Sequence, residues 1–155
     1  TIMLKPASQW RPGMTKQNEN SAPHRRTRRD HATETAEDYV EAIAEIQVAN
    51  GTCRVRDLSH RFAVSHVTVT RIVSRLQSEG LLETLPYRPI ELTAKGKRLA
   101  TQSRKRHEIV HRFLLWLGIE ASCAAIDAEG IEHHVSAETL ARFKELIESS
   151  ERYDG

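Results

Sequence analysis

Two sets of acidic and imidazole side chains stand far apart in this 155-residue chain. Asp38 and Glu41 are spaced i, i+3, and Glu129, Glu132 and His133 are spaced i, i+3, i+4, so each set shares one side of a helix. His107 falls between them. Carboxylates that converge repel one another and titrate as a coupled group. A divalent cation removes that repulsion. Oxygen and imidazole donors, with no Cys or Met among them, suit a hard ion such as Mn2+. Spacing alone leaves another reading open, since acidic residues on helices are ordinarily solvated. Among the other histidines, His111 reads as surface, His134 as packing or support for the donors, and His60 and His66 as exposed.

Periodicity predicts the elements that must carry these residues. A first helix is expected from Thr35 to Ala49, with Tyr39, Ile43 and Ile46 as its apolar stripe and Asn50-Gly51 at its end. A short helix spans Val55 to Arg61, and Ala63-Val64 makes a turn. Ser65 caps a helix running to Glu79, whose Val69, Ile72, Val73 and Leu76 form a core face. Gly80 closes it. Leu81–Leu85 and Ile90–Leu92 flank Pro86-Tyr87-Arg88-Pro89 and predict a β-hairpin. Thr93 caps a long helix to Leu117, Gly118 ends it, and two shorter helices follow at about 121–134 and 136–150, the last capped by Ser136. The expected fold is mainly α. It has a disordered basic tail (1–32), a winged helix-turn-helix DNA-binding domain (33–93) and an all-helical domain (94–155).

A short helix, a tight turn and a helix with one polar, basic side form a helix-turn-helix, and the hairpin after it is the wing. The second helix is expected to enter the major groove of double-stranded DNA. Ser65, His66, Thr68 and Thr70 are placed to meet bases or phosphates, Arg71 and Arg75 to bind phosphate or guanine, and Arg88 to reach out from the wing tip. A plain amphipathic surface helix is the alternative; the whole run of helix, turn, helix, Gly and hairpin favours DNA. Charge is uneven. Residues 1–32 hold seven basic and two acidic residues, a net +5, leaving −3 for the rest of a chain whose total is +2. Arg25-Arg26-Thr27-Arg28-Arg29 reads equally as a phosphate contact or a solvated arm.

Several classes are disfavoured. No apolar run approaches the ~18 residues of a membrane span, and no signal-peptide core is present. Cys53 and Cys123 are isolated, which fits neither a zinc cluster nor a disulfide framework and suggests a reducing cytoplasm. Met14 is a candidate start. A carboxylate-bridged di-metal enzyme wants two Glu-x-x-His motifs, and Glu108-Ile109-Val110-His111 is the sole one. No Gly-x-Ser-x-Gly elbow occurs, so catalysis is not expected.

The chain resembles the diphtheria-toxin-repressor family of metal-dependent repressors, in its manganese-responsive branch. The resemblance covers about Thr35 to Ile147. It is carried by Glu37-Asp38-Tyr39-Val40-Glu41, Val64-Ser65-His66-Val67-Thr68-Val69-Thr70, Leu92-Thr93-Ala94-Lys95-Gly96, Arg106-His107-Glu108 and Asp127-Ala128-Glu129-Gly130-Ile131-Glu132-His133-His134. It implies a metal-ligand set of Asp38, Glu41, His107, Glu129, Glu132 and His133 around two Mn2+ per protomer. It also implies that residues 94–155 are a metal-binding and dimerisation domain. The implied activity is metal-activated repression of manganese uptake genes by a homodimer on a palindromic operator. Carboxylates at 38 and 132, where the iron branch has sulfur-containing residues, point to manganese; a response to Fe2+, another divalent ion or another ligand is the alternative. The chain leaves no room for the iron branch's C-terminal SH3-like domain. His111 stands where relatives often carry an acidic residue.

Overall fold

The computed structural model describes residues 22–151, with side chains described over 29–150. Helix α1 (Ala22–Asn50) starts at Ala22, not near Thr35. The arginine-rich stretch shows no apolar rhythm, but nothing in it stops a helix propagating backward from the packed half, and Pro23 sits in the first turn where proline is tolerated. The tail expected to lack order over 1–32 is thus helical from Ala22; residues 1–21, Met14 included, lie outside the described residues.

Tyr39, Val40 and Ile43 of α1 are buried, and Tyr39 stacks on Phe62 with ring centroids 4.4 Å apart. That contact seats α2 (Val55–Phe62). Ala63, at φ 52, turns the chain into α3 (His66–Ser78), whose first turn is capped by Ser65 Oγ accepting from Thr68 N at 3.2 Å. Val69, Val73 and Leu76 point inward. The wing is β1 (Leu82–Glu83) paired antiparallel with β2 (Glu91–Leu92), Leu82 opposite Leu92. One pairing was not expected: Ile90 N donates to Cys53 O at 2.8 Å, tying the wing's base to the segment before α2.

Thr93 Oγ1 accepts from Gly96 N and starts α4 (Ala94–Trp116). Gly96 lies so close to the wing that an added Cβ would meet Leu81 O at 2.0 Å. Helices α5 (Ala121–Ile131) and α6 (Ala137–Glu151) pack on α4 around Val110, Leu114, Ala124, Ala128 and Leu140. The winged-helix core also takes Ala100 and Leu99 from α4, so packing continues past the boundary expected at residue 93. Helix α5 ends earlier than expected; Glu132 is its C-cap and residues 132–134 form a turn. Among the described residues no helix is long and apolar enough to cross a membrane.

Candidate metal centre and nucleic-acid interface

The side of α1 opposite its core carries Asp38 and Glu41. Both face an open cavity of about 1100 Å3, which is also lined by His107 of α4 and by Glu129, Glu132 and His133 at the end of α5. All six residues expected as donors therefore border one space. Five are joined by direct contacts. His133 Nε2 lies 3.3 Å from Asp38 Oδ1 and 3.6 Å from Glu132 Oε1. Glu132 Oε2 is 2.6 Å from His107 Nδ1, which is 3.6 Å from Glu129 Oε1. Glu41 stands apart from this string, and its Oε2 accepts from the buried Ser103 hydroxyl at 2.9 Å. Among the described residues, no three acidic, His or Cys side chains are gathered into a formed coordination sphere. The donors meet in pairs.

Sequence reading missed the residues that hold His133. Glu37 is buried, and its Oε2 lies 2.9 Å from His133 Nδ1, while Oε1 meets Arg106 at 2.5 Å. With Nδ1–H donated to Glu37, Nε2 is left facing Asp38 and the cavity. The adjacency of Glu37 to Asp38 and of Arg106 to His107 was the available signal. Arg106 also brings a positive charge to the carboxylate beside the candidate donors. His134 is mostly exposed and pairs with Glu34 at 2.9 Å, so it is not a packing residue. His111 stacks on His107 at 6.0 Å between ring centroids.

The electrostatics suit a cation-binding role. Burial raises the Asp38 carboxyl above its ordinary value, with Glu129, Glu37 and Glu34 adding to the rise and His133 opposing it. Burial also raises Glu132, against the pull of His107 and His133. Burial alone would lower His133, but its hydrogen bond to Glu37 and the charges of Asp38 and Glu132 outweigh that and raise it. Such groups retain protons where a dissolved side chain would release them. A divalent ion can replace those protons, and oxygen and imidazole are the donors it needs.

The second expected site is a surface. His66, Thr70, Arg71 and Ser74 of α3 line a shallow concavity together with Val67, which is 70% exposed and was not expected to contribute. Ser65, Thr68 and Arg88 are also exposed. Ser65 and Thr68 hydrogen-bond each other in the cap at 3.0 Å, and Thr70 Oγ1 donates to His66 O. Arg75, like Ser65, Thr68 and Arg88, does not line the concavity, and its Nε lies 3.5 Å from Glu79 Oε1.

Comparison with known proteins covers both sites. Residues 31–90 match the family described as iron dependent repressor, N-terminal DNA binding domain, and residues 93–153 match its metal binding and dimerisation domain. The transcriptional regulator MntR of Escherichia coli O157:H7 is 43% identical over 131 residues, 84% of each chain. A solved manganese-dependent transcriptional repressor in complex with manganese is 28% identical at a TM-score of 0.65, over 72% of this chain and 52% of that one. The structure of ScaR with bound Zn2+ is 25% identical at a TM-score of 0.64, over 73% of this chain and 53% of that one. The chain spans about half the length of these two solved structures.

Proposed function

This chain belongs to the iron-dependent repressor family, and we propose that it is a manganese-responsive transcriptional regulator that binds operator DNA as a homodimer. The observation that carries the reading is the meeting of Asp38 on α1 with His133 beyond α5, at 3.3 Å, within a cavity bordered by four further donors.

Asp38, Glu41, His107, Glu129, Glu132 and His133 would hold the metal, two Mn2+ per protomer by the family resemblance. Bound Mn2+ supplies the positive charge that lets these carboxylates stay ionised side by side. Glu37 and Arg106 fix the His133 ring so that Nε2 faces the cavity. Helix α1 joins the two sites, since its other side packs Tyr39, Val40 and Ile43 into the core on which α3 rests. With the carboxylates neutralised, α1 is held at one distance from α4 and α5; with them charged, that distance loosens. The dimer face is supplied by Leu115, Trp116, Leu117, Ile119, Ile126 and Leu146, all exposed apolar residues of the helical half. Two α3 helices related by a two-fold axis then face a palindromic site. On α3, Arg71 suits guanine or phosphate, and Val67 suits a thymine methyl group. The metal acts by favouring the arrangement that fits DNA.

The test compares binding to operator DNA in Mn2+ and in chelator. Affinity about 5- to 150-fold higher in Mn2+ is expected, the usual range for such coupling. Equal affinity would overturn the reading. A second reading, response to Fe2+ or another divalent ion, is favoured by the two imidazole donors, which suit several transition metals. Metal titrations across Mn2+, Fe2+ and Zn2+ separate the two.

A further inference from the structure

The tip of the wing places an aromatic residue where the fold has no use for one. Arg88 N donates to Leu85 O at 3.0 Å, closing a four-residue turn with Pro86 second and Tyr87 third. Tyr87 has φ 65. A turn of this shape takes Gly or Asn at its third position, because a bulky side chain is strained there. Tyr87 is nonetheless 98% exposed, so its ring packs on none of the described residues, and Leu85 beside it is 67% exposed. The backbone is held: Arg54 Nη1 donates to Tyr87 O at 3.1 Å. Strain maintained by a specific clamp, around a side chain that touches none of the described residues, points to a contact with an outside partner.

The surroundings identify that partner. Arg88 is exposed beside the ring, Arg54 lies beneath it, and β1 follows directly from α3 across Gly80. A ring and a guanidinium, continuous with the DNA-reading helix, match the chemistry of a nucleic-acid strand. We propose that Tyr87 is a DNA-contacting residue whose ring lies on the sugar-phosphate wall of the groove next to the one read by α3, with Leu85 against the sugar faces. The phenol hydroxyl donates to a phosphate oxygen. This contact raises affinity without reading sequence. It rests on the DNA-binding function proposed above.

Tyr87→Gly is the decisive variant, because glycine removes the ring and relieves the strained φ together. The probe is a labelled duplex recovered from a random pool by the unsubstituted, Mn2+-loaded protein. The glycine variant should bind it about 10-fold more weakly, by the same factor for duplexes altered at bases flanking the recognised core. Its melting temperature should equal or exceed that of the parent, and its Mn2+ titration should be unchanged. The slope of affinity against salt should be preserved in Tyr87→Gly and reduced by about one in Arg88→Ala, since only the arginine displaces a counterion. Undiminished binding by Tyr87→Gly would overturn the proposal. Recovery of no duplex by the parent protein would instead overturn the DNA-binding function, and the wing contact with it.

Discussion

The proposed DNA-facing surface and the candidate donor cluster are built in opposite ways. Most of the surface comes from one stretch, Ser65 to Ser74, and its side chains are exposed and bond within their own turn where they bond at all. The cluster draws on α1, α4 and the end of α5, and each side chain depends on another: Glu132 on His107, His133 on Glu37, Glu37 on Arg106. A surface made locally can lose one residue and keep the rest. An interlocked cluster cannot, because removing one partner leaves another buried and uncompensated. The two functions should therefore separate by mutation, with unequal effects.

Glu132→Ala is expected to give the largest effect. It should lower Mn2+ affinity by more than about 100-fold, beyond the range reached by removing supporting partners of a metal ligand. Calorimetric titration measures this, with circular dichroism confirming retained helix; parental metal affinity would break the comparison. Arg71→Ala should do the converse, costing ~1–3 kcal/mol in DNA binding if it reads guanine, while Mn2+ binding stays unchanged. A loss of metal affinity there would show the two regions to be less separate than their construction implies. Glu37→Gln sharpens the contrast within the cluster. It keeps the shape of the His133 clamp but removes its charge, and should reduce Mn2+ affinity about 10-fold.

The smallest effect concerns protons in the cation-free protein. Asp38, Glu132 and His133 are all raised above their ordinary values. A raised group stabilises the fold at low pH, and that contribution is lost as pH climbs through its folded value. For His133 the loss begins above the ordinary 6.5. In chelator, the melting temperature should thus fall by a few degrees (about 2–4 °C) between pH 6 and 8. Added Mn2+ should restore more of it at pH 8 than at pH 6. A flat profile in chelator would mean that these protons do not substitute for the metal.

Legibility in the sequence follows the same division. The caps at Ser65, Thr93 and Ser136, the end of α3 at Gly80 and the hairpin were all readable, because each is decided within a few residues. The pairing of Cys53 with Ile90 was not, since no local pattern marks a strand of one residue. The start of α1 was missed because hydrophobic rhythm locates the packed part of a helix and is silent about a polar extension of it. In the cluster, residue types and spacing singled out the candidate donors, while Glu37 was given no role. Its burial depends on Arg106 and His133, which lie far along the chain.

With Gly96 pressed against the Leu81 carbonyl, α4 is in effect welded to the wing at its first turn. The arm from that weld to His107 is about 16 Å at the rise of an α-helix. A slip of about 1 Å at the imidazole then tilts the whole DNA-reading module through roughly four degrees if the arm stays straight. On the proposed function, a close approach at one glycine would thereby convert a small displacement among the metal-holding residues into an angular change at the helix meant for the groove.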